Sequence, residues 1–336
     1  MAGIFEVDEV RQRDLSFRAF MLESEDCPLM QMLRDGKKPE SNSLTEWTAK
    51  ALPLVNPTGI LEGAPVTTFK GTKRIPLGTY VQQFQQPWSV SKRANLIQSA
   101  GKESATEAGE QATDAMVLLR RQNEQQILSI SDTFVQNGAT PYTTRGIGAW
   151  LSAVAQAQQP VPAILLNSPA AIYADTMANL TQDAFEAAII AATKERKAKV
   201  TLELILGSLL QAKINSFVEI NPVTATSSAV VRYEKGNGRT FERMTDVLNF
   251  NGSIVRTHLS FFIGYDVSKP QDAVPTDYTD RSGYAINLKQ WDLGWMQPPM
   301  PFTLPNDGSG PRGYVEDFLA LRCYDPRGQV KFWISQ

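Results

Sequence analysis

Residues 54–93 read LVNPTGILEGAPVTTFKGTKRIPLGTYVQQFQQPWSVSKR, and a long polar helix-forming stretch follows almost at once. Pro57, Pro65, Pro76 and Pro87, with Pro53 at the edge, and Gly59, Gly63, Gly71 and Gly78 punctuate it. Between them lie strand-like pieces, Val66–Phe69 and Thr79–Phe84. The pattern predicts a long two-stranded arm with little core of its own. An isolated ribbon is marginal in water, so the arm needs a support, and another copy of the chain is the support expected.

Downstream, residues 103–131 contain no proline and one glycine, Gly109. Glu103, Glu107, Glu110 and Asp114 crowd the first half and Arg120 and Arg121 come later, the order that suits a helix dipole. Ala112, Met116, Leu119, Ile127 and Ile130 keep three-four spacing, giving a helix about 43 Å long. Residues 120–126 are polar on every side, which reads as exposed, bridging between packed units, or held by pairs. A short helix is predicted over 147–158. A capped helix follows from Thr181 or Asn179, with Phe185, Ala188, Ile189 and Ala192 on one side. Then come a buried strand over 200–206 and a helix through Phe217, which together imply a sheet covered by helices.

The last third reads as β. Val247–Phe250, Asn251-Gly252 and Ser253–Leu259 form the clearest hairpin. Further strands are expected over 228–234 and 285–293, and a final hairpin pairs 319–323 with 329–334. Upstream of the ribbon, residues 1–45 read either as a partly disordered terminus or as an arm ordered on a neighbour, since Phe5, Phe17 and Phe20 would be wasted in solvent.

Bulk properties narrow the function. At 336 residues the chain exceeds the usual single core, so two lobes plus extensions are expected. Lys+Arg 33 against Asp+Glu 35 leaves a net charge of -2, with no overall drive toward nucleic acid or an anionic membrane. No run approaches the roughly 20 apolar residues that span a bilayer. The acidic start, MAGIFEVDEV, lacks an apolar signal core, and a cytoplasmic protein is expected. Cys27 and Cys323 form no metal-ligand or redox spacing and read as reduced thiols.

Chemistry is hard to find. His258 is the single histidine, set in a strand with no nucleophile motif beside it. No P-loop occurs, and Gly308-Ser309-Gly310 follows a loop rather than a buried strand, so it is no nucleophile elbow. Asp272, Asp277 and Asp280 match no ligand spacing and read as a solvated loop. Local charge is more informative. Lys70, Lys73 and Arg74 sit on the arm, either as a phosphate-contacting strip or, the favoured reading, as donors to an acidic neighbour such as Glu103, Glu107 and Glu110. Trp47 and Trp88 bracket the arm and read as anchors of its root.

The order of these elements, with Glu46-Trp47 before the ribbon and Gln82-Gln83-Phe84 and Val90-Ser91 closing it, resembles the major capsid proteins of tailed bacteriophages, the Hong Kong 97 type. The resemblance covers nearly the whole chain. It implies an α+β capsid fold: an N-terminal arm (1–45), an extended β-hairpin loop (54–90) and a peripheral domain (46–53 and 91–159) with a spine helix (103–131). An axial α/β domain (160–305) and C-terminal strands returning to the peripheral domain (306–336) complete it. By the same resemblance the protein is no enzyme and needs no cofactor. The resemblance further implies assembly in a host cytoplasm into hexamers and pentamers of an icosahedral head around double-stranded DNA, with only weak contact to that DNA. Further copies of itself are the main partners, with scaffold, portal and decoration proteins as others and no membrane. Phe17 and Phe20 join the charged residues as expected inter-subunit contacts. Removal of about Thr58–Gln82 is expected to leave a soluble subunit that cannot make shells. An encapsulin-like compartment, or a soluble enzyme or binding module built on 160–305, are the alternatives.

Overall fold

The computed structural model describes residues 27–36, 40–51, 62, 71–96, 107–196, 201–217, 247–250, 253–263, 281–305, 308 and 310–334. In chain order they form α1 (Pro28–Met32), β1 (Arg34–Asp35), β2 (Leu44–Ala51), β3 (Lys73–Tyr80), β4 (Gln82–Ser89), α2 (Lys92–Leu96) and α3 (Glu107–Ile127). Then follow α4 (Ile147–Trp150), β5 (Ile172–Tyr173), α5 (Gln182–Arg196), β6 (Thr201–Leu206), α6 (Ser208–Phe217), β7 (Val247–Phe250) and β8 (Ser253–Leu259). The chain closes with β9 (Gly283–Ile286), β10 (Trp291–Leu304), β11 (Arg312–Cys323) and β12 (Val330–Phe332).

The strands make a four-stranded sheet in the order β1-β10-β11-β4, a six-stranded sheet in the order β5-β12-β9-β6-β8-β7, and a two-stranded ribbon of β2 and β3. Strand β6, read as buried, is buried at every residue after Thr201 and runs between parallel β8 and antiparallel β9. Its alternation assigns each face to a different core. Leu202, Leu204 and Leu206 pack with Phe185 and Ile189 of α5 and Leu210 and Ile214 of α6. Ile205 faces the other core, with Leu119 and Ile127 of α3, Trp150, Trp291 and Leu319. The six-stranded sheet is thus a wall shared by two lobes. Helix α5 begins where predicted: Thr181 Oγ1 accepts from the Ala184 N–H at 3.2 Å. Asp183 in its first turn and Lys194 and Arg196 in its last complement the dipole. The Asn-Gly hairpin forms in the expected register, Phe250 opposite Ser253.

Other expectations are corrected. Thr79–Phe84 is not one strand: β3 ends at Tyr80 and β4 starts at Gln82, and the two join different sheets. β4 pairs with β11 from Gln82↔Leu319 to Ser89↔Arg312, so the second half of the expected 54–90 loop belongs to the frame. The return to the four-stranded sheet begins at Trp291, not after Pro305. β10 pairs with β11 along its length and bulges between Gln297 and Met300, where Pro298 and Pro299 have no N–H to donate. The final hairpin does not form, because β12 pairs with β9 and β5 instead. Nor does 285–293 form one strand: the Asn287 side chain accepts from the Lys289 N–H and turns the chain through a 3-10 turn. The 147–158 helix stops at Trp150, where Ser152 Oγ takes the Val154 N–H and Gln156 caps the Ala149 carbonyl. Residues counted with the N-terminal arm also enter the core, since Cys27 and Leu29 are fully buried. The strand expected over 228–234, and the stretches 1–26 and 52–61, lie outside the described residues.

Candidate assembly surfaces

The ribbon is built root-first. Along β3, Ile75, Leu77 and Thr79 are buried while Lys73 and Arg74 are exposed. At the root, Thr133 Oγ1 accepts from the Tyr80 N–H at 2.9 Å and Thr79 Oγ1 accepts from the Arg145 N–H at 3.1 Å. Trp47 of β2, opposite Leu77, donates from Nε1 to the Cys323 carbonyl at 2.9 Å and packs tilted against Trp150 with ring centroids 5.7 Å apart. Trp47 therefore anchors the root, as read from its place in the sequence, and Trp88 packs partly buried on the same core. The outer end is different. Its last pairs are Lys50↔Arg74 and Ala51↔Lys73, and Lys50, Lys73 and Arg74 are all exposed. Three cations cluster there.

Of the residues expected at contacts, Phe17, Phe20, Lys70 and Glu103 lie outside the described residues. Glu107 and Glu110 occupy the first turn of α3, half-buried. Among the described residues, no hydrogen bond or ion pair joins Lys73 or Arg74 to either glutamate.

Helix α3 departs most from its sequence reading. It ends at Ile127 rather than Ser131, and Arg121, Asn123, Glu124 and Gln126 of its polar stretch are buried. Of the three readings, held by pairs is the one realised. Both Glu124 carboxylate oxygens accept backbone N–H groups of α1, from Leu29 at 3.1 Å and Met30 at 2.8 Å. Gln126 donates to the Thr144 carbonyl at 2.9 Å, and Asn123 donates to Asp317 at 2.6 Å. A signal existed: Asn123 and Gln126 continue the stripe through Leu119 and Ile127, so polar side chains stand at core-facing positions.

Among the described residues no constellation of reactive groups emerges. His258 Nε2 lies 2.9 Å from Glu203 Oε2, which also takes Arg256 at 3.3 Å through its other oxygen. That is a cross-strand ion cluster with no nucleophile bonded to it. Cys27 and Cys323 are both buried thiols outside any disulfide, and burial pushes the Cys323 thiol well above its ordinary value. Arg145, fully buried against Trp150, pairs with Asp132 at 2.8 Å, although burial lowers its pKa. An open groove of about 640 Å³ beside Met177 and Leu209 is lined by Lys213 and Arg281 and, among the described residues, by no carboxylate, histidine or cysteine. Among the described residues no group of His, Cys, Asp and Glu is gathered as metal ligands, and no helix is long and apolar enough to cross a membrane. The Asp272, Asp277 and Asp280 loop lies outside the described residues.

A long helix laid on a four-stranded sheet, a six-stranded sheet covered by helices, and a two-stranded ribbon are the elements of the Hong Kong 97-type capsid fold. The chain has the fold of the capsid of cyanophage P-SCSP1u, at 9% identity and a TM-score of 0.62 over 96% of this chain and 93% of that one. It is similar also to the mature capsid of bacteriophage PhiM1, at 11% identity and 0.58 over 96% and 90%. The SrpI encapsulin of Synechococcus elongatus PCC 7942 shares the fold at 9% identity and 0.53 over 97% and 94%. At such identities these likenesses establish the fold alone. The chain belongs to the SU10 major capsid protein family, whose profile matches residues 4–332. Comparison with curated protein sequences finds no match. Capsid proteins of this kind are structural components of the virion.

Proposed function

We propose that this protein builds an icosahedral phage head, as hexamers and pentamers assembled in the host cytoplasm around double-stranded DNA, and that it acts by assembly rather than catalysis. The observation that carries the reading is the full-length family match, residues 4–332. The ribbon supports it: a root locked into the core and an outer end of three cations suit a contact reaching beyond the subunit. In the assembled wall, Lys50, Lys73 and Arg74, with Lys70, meet acidic groups of a neighbour, Glu103, Glu107 and Glu110 among them, and fix register. Phe17 and Phe20 cover apolar surface on a neighbour. Repetition by symmetry makes many modest interfaces sufficient, and a net charge of -2 leaves the wall free of a strong grip on DNA. Scaffold, portal and decoration proteins are the further partners of such a head.

The test follows from the ribbon register. Removing residues 58–82 would delete β3, whose Ile75, Leu77 and Thr79 are buried, and would unfold the subunit. Because Ala51 and Lys73 face each other, residues 52–72 can instead be replaced by Asn-Gly, which closes a two-residue hairpin turn. By electron microscopy the full chain is expected to form shells, and the shortened chain to remain folded by circular dichroism without forming them. Shells of normal yield from the shortened chain would overturn the role of the excursion. Particles that enclose a cargo enzyme and never DNA would favour the encapsulin alternative.

A further inference from the structure

Asp317, in the middle of β11, and Asn123, in α3, meet inside the protein, exposed by 0% and 1%. Asn123 Nδ2 donates to Asp317 Oδ2 at 2.6 Å. The remaining oxygens, Asp317 Oδ1 and Asn123 Oδ1, are both buried and have no hydrogen-bond partner among the described residues. An ionised carboxyl only accepts, so a charged Asp317 would leave two buried oxygens without a donor, at a cost in desolvation. One proton removes both deficits. A carboxylic acid and a primary amide are complementary: the amide N–H serves one acid oxygen, and the acid O–H serves the amide oxygen.

The surroundings offer little to hold a charge. Opposite this part of β11, β4 presents Gln82–Gln86 and β10 presents Gln297–Met300, none of them ionisable. On β3, Lys73 and Arg74 lie at the exposed outer end. On α3, Arg120 is exposed, Arg121 is buried, and Glu124 is turned to the backbone of α1. On β11 itself, Glu316 is adjacent and Arg312 stands at the strand's start.

We propose that Asp317 is a proton-controlled latch between the long helix and the four-stranded sheet. As the neutral acid it donates from Oδ1 to Asn123 Oδ1 and closes a two-bond pair across the interface. Loss of the proton to solvent breaks one bond and leaves an anion inside. Burial raises the Asp317 carboxyl to about 7, the Asn123 bond pulls it down, and the Glu316 carboxylate adds to the rise. The folded protein therefore holds a proton that the unfolded chain releases near 3.8. The latch contributes fully below that value and is lost as pH rises through about 7. It belongs to the single subunit, so its failure and failure of the assembly reading are separate results.

The full chain, labelled with carbon-13 in aspartate carboxyls alone, is examined by infrared spectroscopy beside Asp317→Asn, in which an amide replaces the neutral acid. At pH 6 the wild type is expected to show a neutral aspartic acid band that disappears by pH 8 and is absent from the variant. From pH 5 to pH 7 the wild-type Tm falls more steeply than that of the variant, and above pH 7 the two run parallel. Absence of a neutral aspartate band at pH 6, or parallel Tm curves throughout, would overturn the latch. Should the variant not fold, the labelled wild-type spectrum decides alone.

Discussion

A carboxylate that accepts two backbone N–H groups in a buried place does work that no neutral residue of its size reproduces. Glu124 does so for Leu29 and Met30. Glu124→Ala strands both donors and is expected to cost about 2–4 kcal/mol, with Glu124→Gln, which keeps one acceptor, losing less. Denaturant titration of the two variants against the wild type checks the order. Lys331 is the opposite case, a cation that burial alone lowers to about 8. Its Nζ donates to the Gly148 carbonyl at 2.8 Å, and among the described residues no carboxylate repays the desolvation. Below pH 8 both folded and unfolded chains carry this charge and the folded state bears the penalty. Between about 8 and the unfolded value of 10.5 the folded chain alone is neutral, so stability rises with pH. Relative to Lys331→Met, the wild type should gain on the order of 2 kcal/mol between pH 7 and pH 10.5, read as a narrowing difference in Tm.

Elements whose cause is local were legible in advance. The cap, stripe and charges of α5, the apolar run of β6 and the Asn-Gly turn between β7 and β8 are each written within a dozen residues. Thr181→Ala tests the first: loss of the Ala184 N–H acceptor should cost about 1 kcal/mol, measured as a fall in Tm of about 2–4 °C. Pairing partners far apart in sequence were not legible. Nothing in QQFQQPWS names β11 as its neighbour, and β12 lies beside β9 although β11 precedes it directly in the chain. The polar stretch of α3 was ambiguous for a related reason: Glu124, Asn123 and Gln126 find their partners on α1, β11 and Thr144, and a helix read by itself shows only that they need partners. At the candidate surface, the sequence pointed to the ribbon's cations but not to how they are presented. That depends on β3 pairing with β2 and leaving β4 to another sheet.

For the whole molecule, one arginine holds distant parts of the chain together. Arg322 grips Asp292 through Nε at 2.7 Å and Nη2 at 2.9 Å, and reaches Glu40 through Nη1 at 2.6 Å. It thereby fastens the segment leading into β2 onto the β10–β11 hairpin. Arg322→Ala takes the cation from two mostly buried carboxylates, leaving Asp292 the Tyr324 hydroxyl and Glu40 the Thr45 hydroxyl, and should cost about 3 kcal/mol; limited proteolysis is expected to show faster cleavage N-terminal to Leu44. Arg322→Lys should recover only part, because an ammonium cannot match the fork. The ribbon's closing pair, Ala51 across from Lys73, carries a consequence of another kind. Two strand ends held side by side form a port whose geometry does not depend on how much polypeptide passes between them, and lengthening such a connection costs only logarithmically in entropy. The fold of the subunit itself therefore sets no narrow limit on the length of this stretch, and a foreign peptide grafted there is expected to leave the rest of the subunit in its shape.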